Sequence, residues 1–458
     1  MKKGKVYLIG AGPGDPGLIT VKGLEILKQA EVVIYDYLVD KTILKYASPT
    51  AELICADELD RERFSINKIM VKKAKAGKRV ARLKNGDPFV FGRANEEIEA
   101  LSKNRIEFSV IPGVTAANAA SCFSGIPLTA RGVSSNVVFA TGHEDPKKNK
   151  GFINWKNIAQ ADTIVLYMAV ENLPQITQKL LVSGKKINTP AAVISDVSRI
   201  GQKIVTGVLK DISNKTKAEK ISAPAIVIIG DVVKKERNFN WFGKNRKILF
   251  TGLSSERFFE KGIIFHLPMI EIKPLNDYNE MDKWIKKINT FDWIVFSSRF
   301  GALYFFRRLL GQGFDTRVLN GIKIAAIGNS TAGKLREYGI IADIIPKQES
   351  SSGLLGELRK LNIAGAKIFL PRSDIADKGL TEGLKKFDAV VYSCVAYRNV
   401  MPENLPDMDF DFFDEIIFSS PSAGRNLIKR YGKPPERIRI RAIGSVTGKE
   451  LKKWGLSA

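Results

Sequence analysis

Only two histidines, His143 and His266, occur in the 458 residues, and the three cysteines, Cys55, Cys122 and Cys394, stand far apart with no C-x-x-C pair. That usage nearly excludes a histidine-rich metal site, a thiolate metal site or a disulfide frame. Chemistry in this chain falls to carboxylates, lysine, tyrosine, hydroxyls and backbone groups. Three stretches have the residue types and spacing for it. In VYLIGAGPGDPGLIT (6–20) glycines fall at 10, 12, 14 and 17, a near miss to the dinucleotide fingerprint because position 15 is aspartate. Pro13 and Pro16 carry no N–H, so the loop is poor in donors where a pyrophosphate needs them, and it reads as a stiff wall for close approach. In GKRVARLKNGDPFVFGR (77–93) a strand runs into Asn85-Gly86-Asp87-Pro88. That turn sets carbonyls, a carboxylate and apolar Phe89 and Phe91 at a strand end, a mix suited to a ligand with a cation and an adenine ring. IPGVTAANAA (111–120) adds a glycine turn, Thr115 and a helix of small residues that admits close backbone contact.

Such loops need strands to hold them. Short β-branched runs (KVYLIG, EVVIYD, RVARL, TIVLYM, APAIVIIG, KILFTG, DWIVFSS, KIFLPRS, EIIFSS) alternate with lysine-bearing helical segments along the whole chain. That alternation predicts α/β domains with largely parallel sheets and ligand loops at the strand C-termini. The length suits three or four compact units. The polar stretch VVKKERNFNWFGKNRK (232–247) marks the main boundary near residue 240. Beyond it the sequence repeats: IVFSS (294–298) returns as IIFSS (416–420), and AIGNSTAGKLREYG (326–339) as AIGSVTGKELKKWG (442–455). Two similar domains flanking a cleft are expected, with Thr331 and Thr447 either meeting anions or capping two related helices.

The net charge is +24, with 38 Lys and Arg to 24 Asp and Glu over 1–245 and 34 to 24 over the rest. A basic excess suits nucleic acid or a polyanionic small molecule. The lysines are nevertheless scattered over helical surfaces (KKAKAGKR at 72–79), without an RGG tract or a long basic tail, so a lysine-rich soluble surface explains them equally well. No apolar run approaches the roughly 18 residues of a membrane span. MKKGKVYLIG enters a strand without an apolar leader, so no signal peptide is read and a cytoplasmic location is expected.

The order of the stretches resembles the uroporphyrinogen-III C-methyltransferase family, S-adenosylmethionine-dependent enzymes of tetrapyrrole synthesis. The resemblance rests on VYLIGAGPGDPGLIT (6–20), DYLV (36–39), RLKNGDPFVFGR (82–93), VIPGVTAA (110–117), GIPLTAR (125–131), TGHE (141–144), TIVLYM (163–168), TPAAV (189–193) and APAIVIIGDVV (223–233), and covers residues 4 to about 235. It implies a two-domain tetrapyrrole methyltransferase fold over 1–240, with subdomains of about 1–112 and 113–240 and the cofactor between them. By resemblance, S-adenosylmethionine contacts fall on Pro13, Asn85, Gly86, Asp87, Val90, Thr115, Ala116, Met168, Val197 and Ala225. The resemblance also implies that Asp36 would be the acidic catalytic residue and that Arg93 and Asp15 would be further polar groups of the cleft, Arg93 toward substrate. Three positions depart from the family. Asn85 replaces a glycine, which a left-handed asparagine would tolerate. Ala130 stands at a histidine. The family's lysine, linked to proton transfer, aligns with Asp57 in Ile54-Cys55-Ala56-Asp57.

The second half resembles the uroporphyrinogen-III synthase family, through DWIVFSSRFGALYFF (292–306), KIAAIGNSTAGKL (323–335), SSGLL (351–355), IFLPRSDIA (368–376), VVYSCVAY (390–397), IIFSSPSA (416–423) and AIGSVTGKEL (442–451). The resemblance implies a two-domain, flavodoxin-like fold over 246–458 joined by a β-ladder of FHLPMIEIKP (265–274) and VVYSCVAY. One subdomain would be about 246–270 plus 398–458, the other about 271–397. Tyr392 would help the substrate hydroxyl leave, and Ser297, Ser298, Thr331, Arg372, Ser373, Ser419, Ser420 and Thr447 would bind its carboxylates.

Together the resemblances imply a fused enzyme that cyclises hydroxymethylbilane to uroporphyrinogen III and methylates that macrocycle at C2 and C7 to precorrin-2, toward sirohaem, cobalamin or haem. They also imply polycarboxylate substrates, no metal, no nucleic acid or membrane partner, and a homodimer through the methyltransferase half. Two other readings stand beside it: an active synthase carrying a degenerate, ligand-binding methyltransferase half, and a methyltransferase half acting on RNA, which predicts salt-sensitive RNA binding.

Overall fold

The computed structural model describes residues 4–58, 65–143, 153–254 and 262–456; Glu144 of the TGHE run and part of the 246–270 segment lie outside them. The chain divides into two units, Met1–Arg246 and Lys247–Ala458. Among the described residues no helix is long and apolar enough to cross a membrane.

The first unit opens with five strands, β1 (Lys5–Gly10), β2 (Val32–Tyr35), β3 (Glu52–Cys55), β4 (Arg79–Lys84) and β5 (Glu107–Ile111), in the order β3-β2-β4-β1-β5. All pairs are parallel. Apolar residues run through these strands without strict alternation because both faces are covered. Ile9, Leu27, Val33 and Leu83 fill one face and Val6, Leu8, Ile34, Met70 and Leu101 the other. Each such fully buried side chain stabilises the sheet by about 1.5–3 kcal/mol. Parallel order brings the C-terminal ends of β1, β2, β4 and β5 to one edge, and there the chemistry-bearing loops emerge.

β6 (Val137–Thr141), β7 (Thr163–Tyr167), β8 (Pro190–Ser195), β9 (Lys203–Val208) and β10 (Ala225–Ile229) form a second sheet in the order β6-β7-β10-β8-β9. Here the expected parallel character fails: only β6 and β7 are parallel, and the other pairs are antiparallel. The reason is local. Residues 196–202 are too few for the crossover a parallel β8–β9 pair requires, so the chain reverses.

The second unit contains β11 (Lys247–Phe250), β12 (Ile263–His266), β13 (Glu271–Lys273), β14 (Trp293–Phe296), β15 (Lys323–Ala326), β16 (Lys367–Ser373), β17 (Val390–Val400), β18 (Glu415–Phe418) and β19 (Arg439–Ala442). They make a four-stranded sheet, β12-β11-β18-β19, and a five-stranded sheet, β13-β17-β16-β14-β15. The sequence repeat is structural. β14 and β15 pair in parallel as β18 and β19 do, and each Ser-Ser follows a strand. The second serine caps the next helix in both copies: Ser298 Oγ accepts from Gly301 N–H and Ser420 Oγ from Ala423 N–H. Glu271–Lys273 pairs antiparallel with Arg398–Val400. This ladder lies just beyond VVYSCVAY, whose own residues pair in parallel with β16.

Candidate functional site

In the first unit the loops after β1, β4 and β5 lock through glycine. A Cβ on Gly10 would come within 2.5 Å of Gly113 Cα, and one on Gly113 within 2.3 Å of Gly86 O, so neither position admits a side chain. Gly86 N–H donates to Gly12 O at 2.8 Å. The Asp87 carboxylate accepts from Phe89 N–H (2.8 Å) and Gly113 N–H (2.9 Å), tying the second loop to the third.

The glycine loop spends most of its donors on the protein. Ala11 N–H goes to Lys84 O, Gly12 to Gly86 O, Asp15 to Ser198 Oγ, Gly17 to Asp15 Oδ1 and Leu18 to Asp15 O. Pro13 and Pro16 carry none, and the single Gly14 N–H left without a partner among the described residues does not make a phosphate cradle. The wall fits a phosphate-free ligand. Asp15 caps the Pro16–Leu18 turn, and burial pushes its carboxyl above the ordinary range.

The predicted contact residues gather around this edge. Thr115 Oγ1 lies 2.6 Å from Tyr167 Oη, which also accepts from Ala117 N–H at 3.1 Å. Burial raises the Tyr167 phenol and leaves it neutral. Met168, the next residue, is left-handed (φ 51) and 53% exposed, so its thioether is held outward rather than filling core. Val90 and Ala116 are half-buried and pack, with buried Val197, on the same cluster; Ala225 opens β10 opposite Ser195. The left-handed residue of the Asn85 turn is Gly86 (φ 69) and not Asn85, so the departure from glycine costs no backbone strain.

Asp36 follows β2 and is the outer end of a buried charge cluster. Its Oδ1 accepts from an Arg82 terminal nitrogen, and Lys84 Nζ lies 4.0 Å from its Oδ2. Beneath them Glu97 Oε1 accepts from Arg82 Nε and Lys84 Nζ, both at 2.9 Å. Burial alone pulls the Arg82 guanidinium down, but Glu97 and Asp36 outweigh it and the net shift is upward. Sequence reading misses Arg82, Lys84 and Glu97. The signal is there: charged residues inside the otherwise apolar strand RVARLK demand buried partners. Asp57 sits close by, its Oδ2 accepting Tyr37 N–H at 2.7 Å. Arg93 stands on the surface in a bidentate pair with Glu96 (3.0 and 2.7 Å).

In the second unit, Tyr392 is the residue expected to help the substrate hydroxyl leave. It lies level with Phe369, near the start of the strand, and packs on Trp284 (4.7 Å) and Phe291 (5.2 Å). The serines lie at the other end of the sheet, and the tyrosine that reaches them is Tyr397, whose Oη is 2.9 Å from Ser298 Oγ. Tyr397 is 5% exposed, and burial raises its phenol. Arg372 donates to Thr381 Oγ1 (2.7 Å) and Asp377 O, and burial lowers its guanidinium. Ser373 Oγ donates to Asp374 Oδ1 at 3.1 Å. Ser297 and Ser419 are half-buried beside the capping serines. Thr331 and Thr447 are each 3% exposed, and the caps of their helices are Gly328 and Gly444. Neither threonine is the cap residue; both are the third helical residue and are buried. A concavity of about 670 Å³ opens instead beside β19, lined by Arg439, Arg441, Lys449 and Lys452, a charge set that suits carboxylates.

Residues 5–213 match the family of tetrapyrrole (corrin/porphyrin) methylases, and residues 257–458 match that of uroporphyrinogen-III synthase HemD. The porphyrin biosynthesis protein HemD of Ruminiclostridium josui is 34% identical over 485 aligned positions, spanning 100% of this chain and 95% of that protein. The uroporphyrinogen-III C-methyltransferase of Priestia megaterium is 46% identical over 235 residues, 50% of this chain and 98% of that protein. The S-adenosyl-L-methionine-dependent uroporphyrinogen III methyltransferase of Methanosarcina barkeri is 44% identical over 235 residues, 50% of this chain and 92% of that protein.

Proposed function

Since the chain belongs to the tetrapyrrole methylase family in its first half and the uroporphyrinogen-III synthase family in its second, and is a bifunctional enzyme of tetrapyrrole biosynthesis, we propose that the two halves act in sequence. The second half closes hydroxymethylbilane to uroporphyrinogen III with inversion of the last ring. The first half methylates that product at C2 and C7, using two S-adenosylmethionines, to give precorrin-2. The observation that carries the methylation reading is the use of N–H donors in the 10–18 loop, which suits a sulfonium cofactor without phosphate.

Bound S-adenosylmethionine supplies an electrophilic methyl group. Pro13, Asn85, Gly86, Asp87, Val90, Thr115, Ala116, Met168, Val197 and Ala225 would hold it. Positioning then supplies most of the rate, because the pyrrole carbon needs only an in-line approach. Asp36 Oδ1 is committed to Arg82, which leaves Oδ2 to accept a proton from the macrocycle. Arg93 would exchange Glu96 for a substrate carboxylate. We place the protein in the cytoplasm, as a homodimer through its first half.

For ring closure, Tyr397 Oη beside Ser298 is the donor best placed to assist the departing hydroxyl, with Ser297 and Ser373 at the ends of the same sheet, and Ser419 and Ser420 after β18 of the other sheet, for the carboxylates. Shielding the resulting cation from water would favour closure over side reactions. Tyr397→Phe is expected to lower the rate of uroporphyrinogen III formation from hydroxymethylbilane by about 100-fold. Tyr392→Phe should leave it near parental. The reverse ranking would return the role to Tyr392.

A further inference from the structure

The 196–202 loop between β8 and β9 reaches from the second sheet of the first unit to the loops of the first sheet, and Arg199 is its contact. Arg199 Nε donates to Pro13 O at 3.2 Å. One of its terminal nitrogens donates to Leu38 O and lies 3.5 Å from Asn85 Oδ1. These acceptors belong to three segments: the glycine loop, the segment two residues beyond Asp36, and the turn after β4. The side-chain stem covers Gly14, where an added Cβ would come within 2.5 Å of Arg199 Cγ. Ser198 supports the same crossing. Its Oγ accepts Asp15 N–H at 3.0 Å, and its own N–H goes to Gln202 Oε1, while Gln202 Nε2 donates to Phe123 O. Asp196 and Ser198 are both left-handed non-glycine residues (φ 48 and 62), a strained backbone that persists only where surroundings enforce it.

We propose that Arg199 is a positioning residue for methyl transfer, a latch that joins the cofactor wall, the Asp36 segment and the Asn85 turn into one rim across the two sheets of the first unit. The proposal rests on reading this edge as the S-adenosylmethionine site. A guanidinium suits the task because its planar fork presents several fixed donors, whereas an ammonium is a single point charge and cannot span carbonyls from separate loops. Loss of the fork would let the Pro13 wall and the Asp36 carboxylate drift independently. Cofactor affinity and turnover then fall together.

The test compares full-length parent, Arg199→Ala and Arg199→Lys by methyl-transfer kinetics, calorimetric S-adenosylmethionine binding, thermal unfolding and ring-closure rate. In Arg199→Ala, kcat/KM for S-adenosylmethionine should fall about 10- to 100-fold, shared between a higher KM and a lower kcat. Ring closure, which uses the other unit, should be unchanged. Added ethylguanidinium should restore part of the loss in the alanine variant, and lysine should restore little. Parental KM and kcat in Arg199→Ala overturn the latch, as does a loss that tracks only the folded fraction and ignores ethylguanidinium. If the parent binds S-adenosylmethionine but transfers no methyl group, the activity reading fails while the latch is judged on binding affinity. A parent that binds none overturns both.

Discussion

Asp36→Ala is expected to reduce methyl transfer by about 100- to 10,000-fold while ring closure of hydroxymethylbilane proceeds at the parental rate. The asymmetry follows from placement. Asp36 is the partly exposed member of a cluster whose other charges are buried, so it is the one group there that a substrate can touch. By the resemblance, Asp57 stands where the family has a lysine linked to proton transfer, and its Oδ2 is engaged with Tyr37 N–H. Lys84 is the nearby ammonium, but it is 3% exposed and bonded to Glu97, which fits it to orient Asp36 rather than to meet substrate. Asp36→Asn keeps the shape and loses the charge, and should be nearly as inactive. Retained methyl transfer in both variants, measured by product absorbance, would move proton handling elsewhere.

Glu97→Ala is expected to destabilise the first unit by about 3–5 kcal/mol, because it strips a buried anion from two buried cations. Glu97 Oε1 is the acceptor shared by Arg82 and Lys84, whose side chains are 2% and 4% exposed. Its Oε2 has no hydrogen-bond partner among the described residues, so the carboxylate is retained for charge more than for hydrogen-bond count. Glu97→Gln keeps one acceptor and should fall between parent and alanine. Denaturant unfolding measures the loss, and methyl transfer of the folded fraction should also drop as Asp36 loses its anchored partner. A Glu97→Ala protein of parental stability would show that Asp36 alone balances both cations.

Much of the fold and of the first site is legible in the residues themselves. The glycine spacing with aspartate at 15 separates the loop from a phosphate cradle, and the hydrogen bonds give the physical cause: most of the loop's N–H groups are used internally. The Ser-Ser repeat is visible as text because the two copies occupy equivalent strand-to-cap junctions. Tyr392 and Tyr397 pose a choice that residue type leaves open. Both lie in one apolar strand five residues apart, and residue type cannot say which end of the strand holds the hydroxyls. Strand register does: Tyr392 pairs at Phe369 and Tyr397 at Ser373, the C-terminal end where ligand loops gather. Thr331 and Thr447 pose a related problem, since helix phase decides how far a hydroxyl is covered, and here the third helical position is buried. Arg199 is invisible to sequence reading because its partners lie 186, 161 and 114 residues away along the chain.

The most direct test supplies the purified full-length protein with hydroxymethylbilane, with and without S-adenosylmethionine. Without it, uroporphyrinogen III should accumulate; with it, precorrin-2 should form. An uninverted macrocycle or unchanged bilane would contradict the ring-closure claim, and uroporphyrinogen III that persists unmethylated in the presence of S-adenosylmethionine would contradict the methylation claim.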